Sequence, residues 1–241
     1  MLAPVADVWW RPFSIAGEVA ILYVDLTLDP AREAEAFAWL DERERLCWER
    51  YLPGPRRRFS LCRAALRATL CDQLDCRNDQ LSFSASRHGK PFAVVQGAQS
   101  SLNFNVSHSN NHGLIACSFD RRVGVDIEER SPKHNIAGLI EAVMGLEEQA
   151  ELAARKGEAK LHLFYRLWTL KEALVKGLGT GFAIDVSRFQ IPPEMRYGDT
   201  AGLFKIPHFS SATWGLKDIG SEKFAAALAC EVPSGSCSLM N

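Results

Sequence analysis

The run Phe164-Tyr-Arg-Leu-Trp-Thr-Leu-Lys-Glu-Ala-Leu-Val-Lys-Gly-Leu-Gly-Thr-Gly-Phe182 constrains the fold more than any other stretch of this chain. Its pattern predicts a helix from Glu158 to Lys176. The helix must stop at Gly177 or Gly179, where glycine can take the left-handed cap conformation. On it Trp168, Glu172 and Lys176 stand at i, i+4 and i+8, a stripe that drifts slowly around the axis. Lys171 lies about 100° around the helix from Glu172. An acid and a lysine a turn apart, below an aromatic, therefore meet the mouth of a glycine-rich loop. The ordinary alternative is a solvated Glu–Lys pair worth a few tenths of a kcal/mol.

The rest of the chain supplies what this helix can pack on. Val19 to Leu26 is rich in β-formers and predicts a buried strand. Asp29-Pro30 starts a helix from Ala31 to Tyr51, and Leu52-Pro-Gly-Pro55 reads as a hard break. A second helix runs from Arg56 to about Leu74, with Phe59, Cys62, Leu66 and Leu70 as its buried stripe and Arg56, Arg63 and Arg67 on other faces. Strands are expected at 81–85, 92–95, 102–107, 112–119 and 123–128, the pair 102–107 and 112–119 as a hairpin. Helices follow at 136–143, 147–154 and 158–176, then strands at 189–191, 202–206, 211–216 and 224–232, and a polar tail from Pro233 expected to fray. Each half reads as a strand, helices and a strand cluster. We expect an α+β fold of two similar halves, 1–119 and 120–241.

With 241 residues, 47% of them hydrophobic, the chain can build one large core or two of about half that size. A net charge of −1 gives no global field for nucleic acid or membrane. No apolar run approaches the ~18 residues that span a bilayer. Seven cysteines, an odd number with no C-x-x-C pair, read as reduced thiols of a cytosolic protein. Met1 to Asp7 has no basic segment and does not read as a signal peptide.

Four groups carry chemistry. Asp126 and Glu128, two apart on a strand, project from one face with Cβ atoms roughly 6–7 Å apart. Such like charges repel unless a hard cation sits between them; a solvated strand face is the alternative. Asn105-Val-Ser-His-Ser109 ends a strand and opens a polar turn whose Ser and His can contact an anion. Arg56, Arg57, Arg58, Arg63 and Arg67 concentrate positive charge at one helix start, where guanidinium groups can grip phosphate. Lys90 sits in a Gly-Lys-Pro turn.

Taken together, Phe104-Asn-Val-Ser-His108, Val123-Gly-Val-Asp-Ile-Glu128 and Trp168-Thr-Leu-Lys-Glu-Ala-Leu-Val-Lys176 resemble the 4′-phosphopantetheinyl transferases, in particular the surfactin-synthetase-activating (Sfp-like) branch. The resemblance runs from about Leu40 to Phe182. It implies two pseudo-symmetric halves with the active site in the cleft between them. It implies Mg²⁺ held by Asp126, Glu128 and Glu172, with Glu172 and Lys176 catalytic. It implies that Arg56, Arg63, Lys90, Ser107 and His108 meet the phosphates of coenzyme A, with Lys171 and Lys176 near its pyrophosphate. The implied partner is an acyl or peptidyl carrier protein, the implied protein a cytoplasmic monomer that uses neither nucleic acid nor membrane. A binding module without transfer activity and a Mg²⁺-dependent pyrophosphate hydrolase are the rival readings. The apolar segment from Ile136 to Leu152, Met144 included, is expected either to help dock the carrier or to pack in the core.

Overall fold

β-Forming residues at the two ends of each half pair with one another, and the helices between them cover the sheets so formed. The computed structural model describes residues 8–132, 135–181, 184–206 and 212–233. In the first half β1 (Trp10–Ala16) and β2 (Val19–Asp25) form a hairpin. Helices α1 (Pro30–Trp39), α2 (Glu42–Glu49) and α3 (Pro53–Gln73) follow. A small sheet of β3 (Leu81–Ala85), β4 (Pro91–Val95) and β5 (Ala98–Gln99) precedes the hairpin of β6 (Asn103–Ser109) and β7 (His112–Ser118). The second half contains β8 (Val123–Glu129), α4 (Ile136–Val143), α5 (Leu146–Ala153), α6 (Gly157–Leu178), α7 (Pro193–Tyr197), β9 (Ala201–Phe204), β10 (Thr213–Asp218) and β11 (Phe224–Val232).

The architecture is α+β, with two four-stranded antiparallel sheets ordered β1-β2-β7-β6 and β8-β11-β10-β9. Without the edge strands β1 and β9, both halves have one topology. A first strand is followed by helices and then a hairpin, whose last strand pairs beside the first. The echo between the halves is thus topological as well as sequential. Helix α3 belongs to the apolar core of the first half, and α6 to that of the second. A third apolar layer joins Val19, Ile21 and Leu114 of one sheet to Val125, Ile127 and Leu228 of the other. The proposed division at 119/120 falls in the turn between β7 and β8, and across it the halves share this layer.

Several expectations differ from the structure. The helix expected over 31–51 is two helices, because Asp41 starts a new one. Its carboxylate accepts from Glu44 N at 2.9 Å, and Glu44 Oε2 accepts from Asp41 N at 3.0 Å, a complete capping box. The expected break at Pro53 is instead the first turn of α3, where proline's missing N–H costs nothing. Phe189-Gln-Ile191 is not a strand; a 3₁₀ turn, Val186–Arg188, leads into it. β1 was not anticipated, since Pro12 interrupts its pattern where the pairing with β2 shifts register. The first seven residues, Phe182 of the motif run, Ser211 of the strand expected over 211–216 and the tail over 234–241 lie outside the described residues. Among the described residues no helix is long and apolar enough to cross a membrane.

Candidate active site

The site exists because a glycine lets a helix touch a strand. A Cβ on Gly124 of β8 would lie 2.0 Å from Ala173 O and 2.2 Å from Gly177 N, so only glycine permits this approach of α6. On the neighbouring strand Ala225, Ala227 and Ala229 form a shallow floor under the same helix. Asp126 and Glu128 share the face of Gly124, so the contact brings Glu172 and Lys176 over them. Helix α6 ends at Gly179, with φ +70° and its N–H on Val175 O at 3.1 Å.

Asp126 is 2% exposed. Its Oδ1 accepts from Lys176 Nζ at 2.6 Å and from Ser107 Oγ at 2.8 Å. Lys176 also donates to Ser107 Oγ at 2.8 Å. Glu128 Oε2 accepts from Ser109 Oγ at 2.7 Å. The two serines come from alternate positions of β6, as does Asn105. Their oxygens accept the outward N–H groups of β8: Val125 to Asn105 at 2.9 Å, Ile127 to Ser107 at 3.4 Å and Glu129 to Ser109 at 3.1 Å. β6 and β8 are edge strands of different sheets, so these side chains form the seam between the halves. Ser107 is used to capacity, donating once and accepting twice.

Electrostatics favour an added cation. Burial raises the pKa of Asp126, which the Lys176 ammonium partly offsets. Glu172 is raised by burial and then by the charge of Asp126, with Glu128 adding to it. Glu128 is raised by burial and by Asp126. Asp126 Oδ2 is buried with no hydrogen-bond partner among the described residues. Among those residues no three His, Cys, Asp or Glu side chains stand at metal-holding spacing. A buried, unpaired carboxylate oxygen beside two further acids nevertheless fits a hard, oxygen-loving cation such as Mg²⁺, which completes its shell with water or phosphate.

Burial lowers the pKa of His108, and the charges of Arg58 and Lys176 press it the same way. Lys90 Nζ donates to Val123 O at 2.9 Å and Gly177 O at 2.8 Å, tying the first half to β8 and to the end of α6. Burial, then the charge of Arg122, lowers its pKa to about 8. A cavity of about 360 Å³ is lined by Asn105, Trp168, Glu172 and Lys176 and by Val143 and Val186. A second, of about 320 Å³, runs over Phe92, Leu102 and Phe104. His88, Lys90, Pro91 and Gly179 line both.

Three expected phosphate contacts are engaged elsewhere. Lys171 is 0% exposed and pairs with Glu148 at 2.6 Å, because its direction on α6 faces the core of the second half. Arg63 pairs with Glu44 at 3.3 Å and lies over the Phe83 ring at 4.5 Å. Arg56 lies over Trp48 at 4.2 Å and donates to Trp48 O and Glu49 O, both at 3.1 Å. None of the three lines either cavity. Arg67, expected on another face, is buried and bonds Asp41, Glu44 and Asn78. Met144 is buried in the core of the second half, whereas Leu139 and Leu146 are 43% and 82% exposed. Asn105 and Ser109 read from the sequence only as part of a strand end and polar turn; their alternation with Ser107 was the available signal. Arg58 stood out only as one member of a basic run.

Comparison with known proteins bears on the same regions. Residues 122–229 match the family model described as the 4′-phosphopantetheinyl transferase superfamily, and residues 30–120 match that described as 4′-phosphopantetheinyl transferase, N-terminal. The Synechocystis protein slr0495 is 40% identical over 147 residues, 61% of this chain and 59% of its own length. The Nostoc 4′-phosphopantetheinyl transferase HetI is 36% identical over 133 residues, 55% of this chain and 56% of its own. The L-aminoadipate-semialdehyde dehydrogenase-phosphopantetheinyl transferase of Xenopus laevis is 31% identical over 143 residues, 54% of this chain and 47% of its own. The chain thus spans about half the length of these relatives.

Proposed function

The chain belongs to the 4′-phosphopantetheinyl transferase superfamily, and on that footing we propose that it moves the 4′-phosphopantetheine arm of coenzyme A onto a serine of an apo acyl or peptidyl carrier protein. The serine oxygen–phosphorus bond forms, the pyrophosphate bond breaks, and adenosine 3′,5′-bisphosphate leaves. The observation that carries this reading is the buried Asp126 Oδ2, which has no hydrogen-bond partner among the described residues, near Glu128 and Glu172 and with Lys176 Nζ at 2.6 Å from the other oxygen.

Asp126, Glu128 and Glu172 would hold Mg²⁺. When bound, the ion supplies charge neutralisation to the pyrophosphate. Ser107 and Ser109 fix the rotamers of the first two acids, so they are presented without reorganisation. Lys176, 30% exposed, faces the cavity and stabilises charge building on the departing phosphate. Glu172 also lines the cavity, and its raised pKa suits it to take the serine proton, directly or through water. A neighbouring cation draws that pKa back down, so Glu172 acts as ligand first and base second. His108, kept neutral by its lowered pKa and so able to donate one N–H, and the Arg58 guanidinium, whose charge is felt at His108, are the phosphate contacts we assign beside Lys90.

Carrier docking falls to the corner between α4 and α5, where Leu139 and Leu146 are exposed. Leu146→Asp should raise the KM for the carrier and leave that for coenzyme A alone; an unchanged carrier KM would remove this assignment. The enzyme works as a cytoplasmic monomer, and a net charge of −1 supports leaving nucleic acid and membrane out of its chemistry. The test is chromatography of the nucleotide product. Adenosine 3′,5′-bisphosphate should accumulate with coenzyme A and Mg²⁺ only when an apo carrier is present. Release without an acceptor would mark a hydrolase instead.

A further inference from the structure

Lys171 occupies a position where the sequence led us to expect a phosphate contact, yet its ammonium is fully buried and its donors are all taken. It meets Glu148 Oε2 at 2.6 Å and the carbonyls of Val143, Val186 and Phe189, each at 2.9 Å. Glu148 is itself 0% exposed. Its Oε2 also accepts from Gly145 N at 2.8 Å, and its Oε1 accepts from Ile191 N at 2.8 Å. One ion pair thus fastens the end of α4, the start of α5 and the 186–191 segment to α6. Two of the fastened residues, Val143 and Val186, line the cavity that Glu172 and Lys176 also line. Glu172 is the next residue along α6 from Lys171. A second strap runs between the same segments, with Glu147 N on Gln190 Oε1 at 3.0 Å.

We infer that Lys171 and Glu148 are a pair of positioning residues: they hold the Val143–Val186 wall at a set distance from Glu172 and thereby set the affinity for coenzyme A without touching it. This rests on the proposed transferase reading. A buried pair is a poor route to stability, since two apolar residues of similar volume often serve as well. Its use here is geometric. Three carbonyls from two different segments converge on one point charge, which a hydrophobic contact could not arrange.

The test separates positioning from direct contact and from plain stabilisation. Wild-type protein is first shown to modify an apo carrier; failure there sinks the transferase reading, and the variants are then compared by their Kd for coenzyme A, where unchanged values overturn the inference. Then Lys171→Met, Glu148→Gln and the double variant Lys171→Met/Glu148→Met are compared by kcat and KM for coenzyme A, well below their melting temperatures. We expect the KM for coenzyme A to rise about tenfold in each, with kcat within about threefold of wild type. The double variant should be no worse than either single one, because the residues act as a unit. If Lys171→Met does not fold with its partner left charged, Glu148→Gln and the double variant carry the same comparison. A normal KM in Glu148→Gln with a raised KM in the variants lacking Lys171 would mean that the lysine meets the substrate directly. Wild-type KM in every folded variant would reduce the pair to a structural one. Either result overturns the inference.

Discussion

At the scale of single residues the site is a problem of like charge. Burial raises all three acids, and the charge of Asp126 raises Glu172 and Glu128 further, with Glu128 also raising Glu172. A carboxylate whose folded pKa lies above its unfolded value binds its proton more tightly when folded. Ionised, it therefore costs stability at neutral pH. Glu172→Gln should raise the melting temperature of the metal-free protein, by roughly 2–4 °C per kcal/mol of repulsion relieved, and should shrink the further rise on adding Mg²⁺. High Mg²⁺ should recover much of its lost rate. A loss confined to kcat at saturating metal, about 10²–10⁴-fold, would instead make Glu172 a base first. Wild-type kcat with wild-type Mg²⁺ dependence would refute both roles. Lys90 shows the opposite sign. Its folded pKa of about 8 lies below its ordinary 10.5, so stability rises as pH climbs through that window. The contribution is at most about 3 kcal/mol. Lys90→Met should flatten the melting temperature between pH 8 and 10.5 relative to wild type; an identical slope would contradict the buried ammonium. That Asp126 and Glu128 share one face, and Glu172 and Lys176 another, was legible in the sequence because spacings of two on a strand and four on a helix fix which side chains align. Lys171 and Arg63 were not, because a cation's type says nothing about which wall it faces. Their partners, Glu148 and Glu44, are 23 and 19 positions away along the chain.

At the scale of elements the decisive contact is α6 on β8. Gly124→Ala should be far more damaging than its size suggests, because the new methyl would collide with helix backbone rather than a movable side chain. Overpacking of this kind costs about 1–3 kcal/mol or more, and the displaced helix would carry Glu172 and Lys176 away from Asp126. We predict a large fall in melting temperature together with loss of transfer, read by calorimetry and by carrier modification. A fully stable and active Gly124→Ala would show that the helix does not sit this close. Helix α6 was legible to within two residues at its C-terminal end because Gly179 stops it. The division between α1 and α2 was not, since Leu40-Asp41 holds neither proline nor glycine, and only the return contact from Glu44 reveals Asp41 as a cap.

At the scale of the whole molecule, two halves of one topology meet edge to edge, and that edge is the site we propose. The repeat of strand, helices and strands was visible in the sequence. The pairing of β2 with β7 and of β8 with β11 was not, because strand order is set by contacts across about ninety residues of chain. Nor was the seam, in which Asn105, Ser107 and Ser109 receive the N–H groups of β8 while the two serines hold its acids. The central claim is that this seam carries phosphopantetheine transfer through Asp126. Intact mass spectrometry of one apo carrier protein, incubated with coenzyme A and Mg²⁺ and with either wild-type enzyme or Asp126→Ala, tests it most directly. The account predicts that wild type adds the mass of one phosphopantetheine group and that the folded variant adds none. An unmodified carrier with wild type across a panel of acyl and peptidyl carriers, or equal modification by the variant, would contradict it.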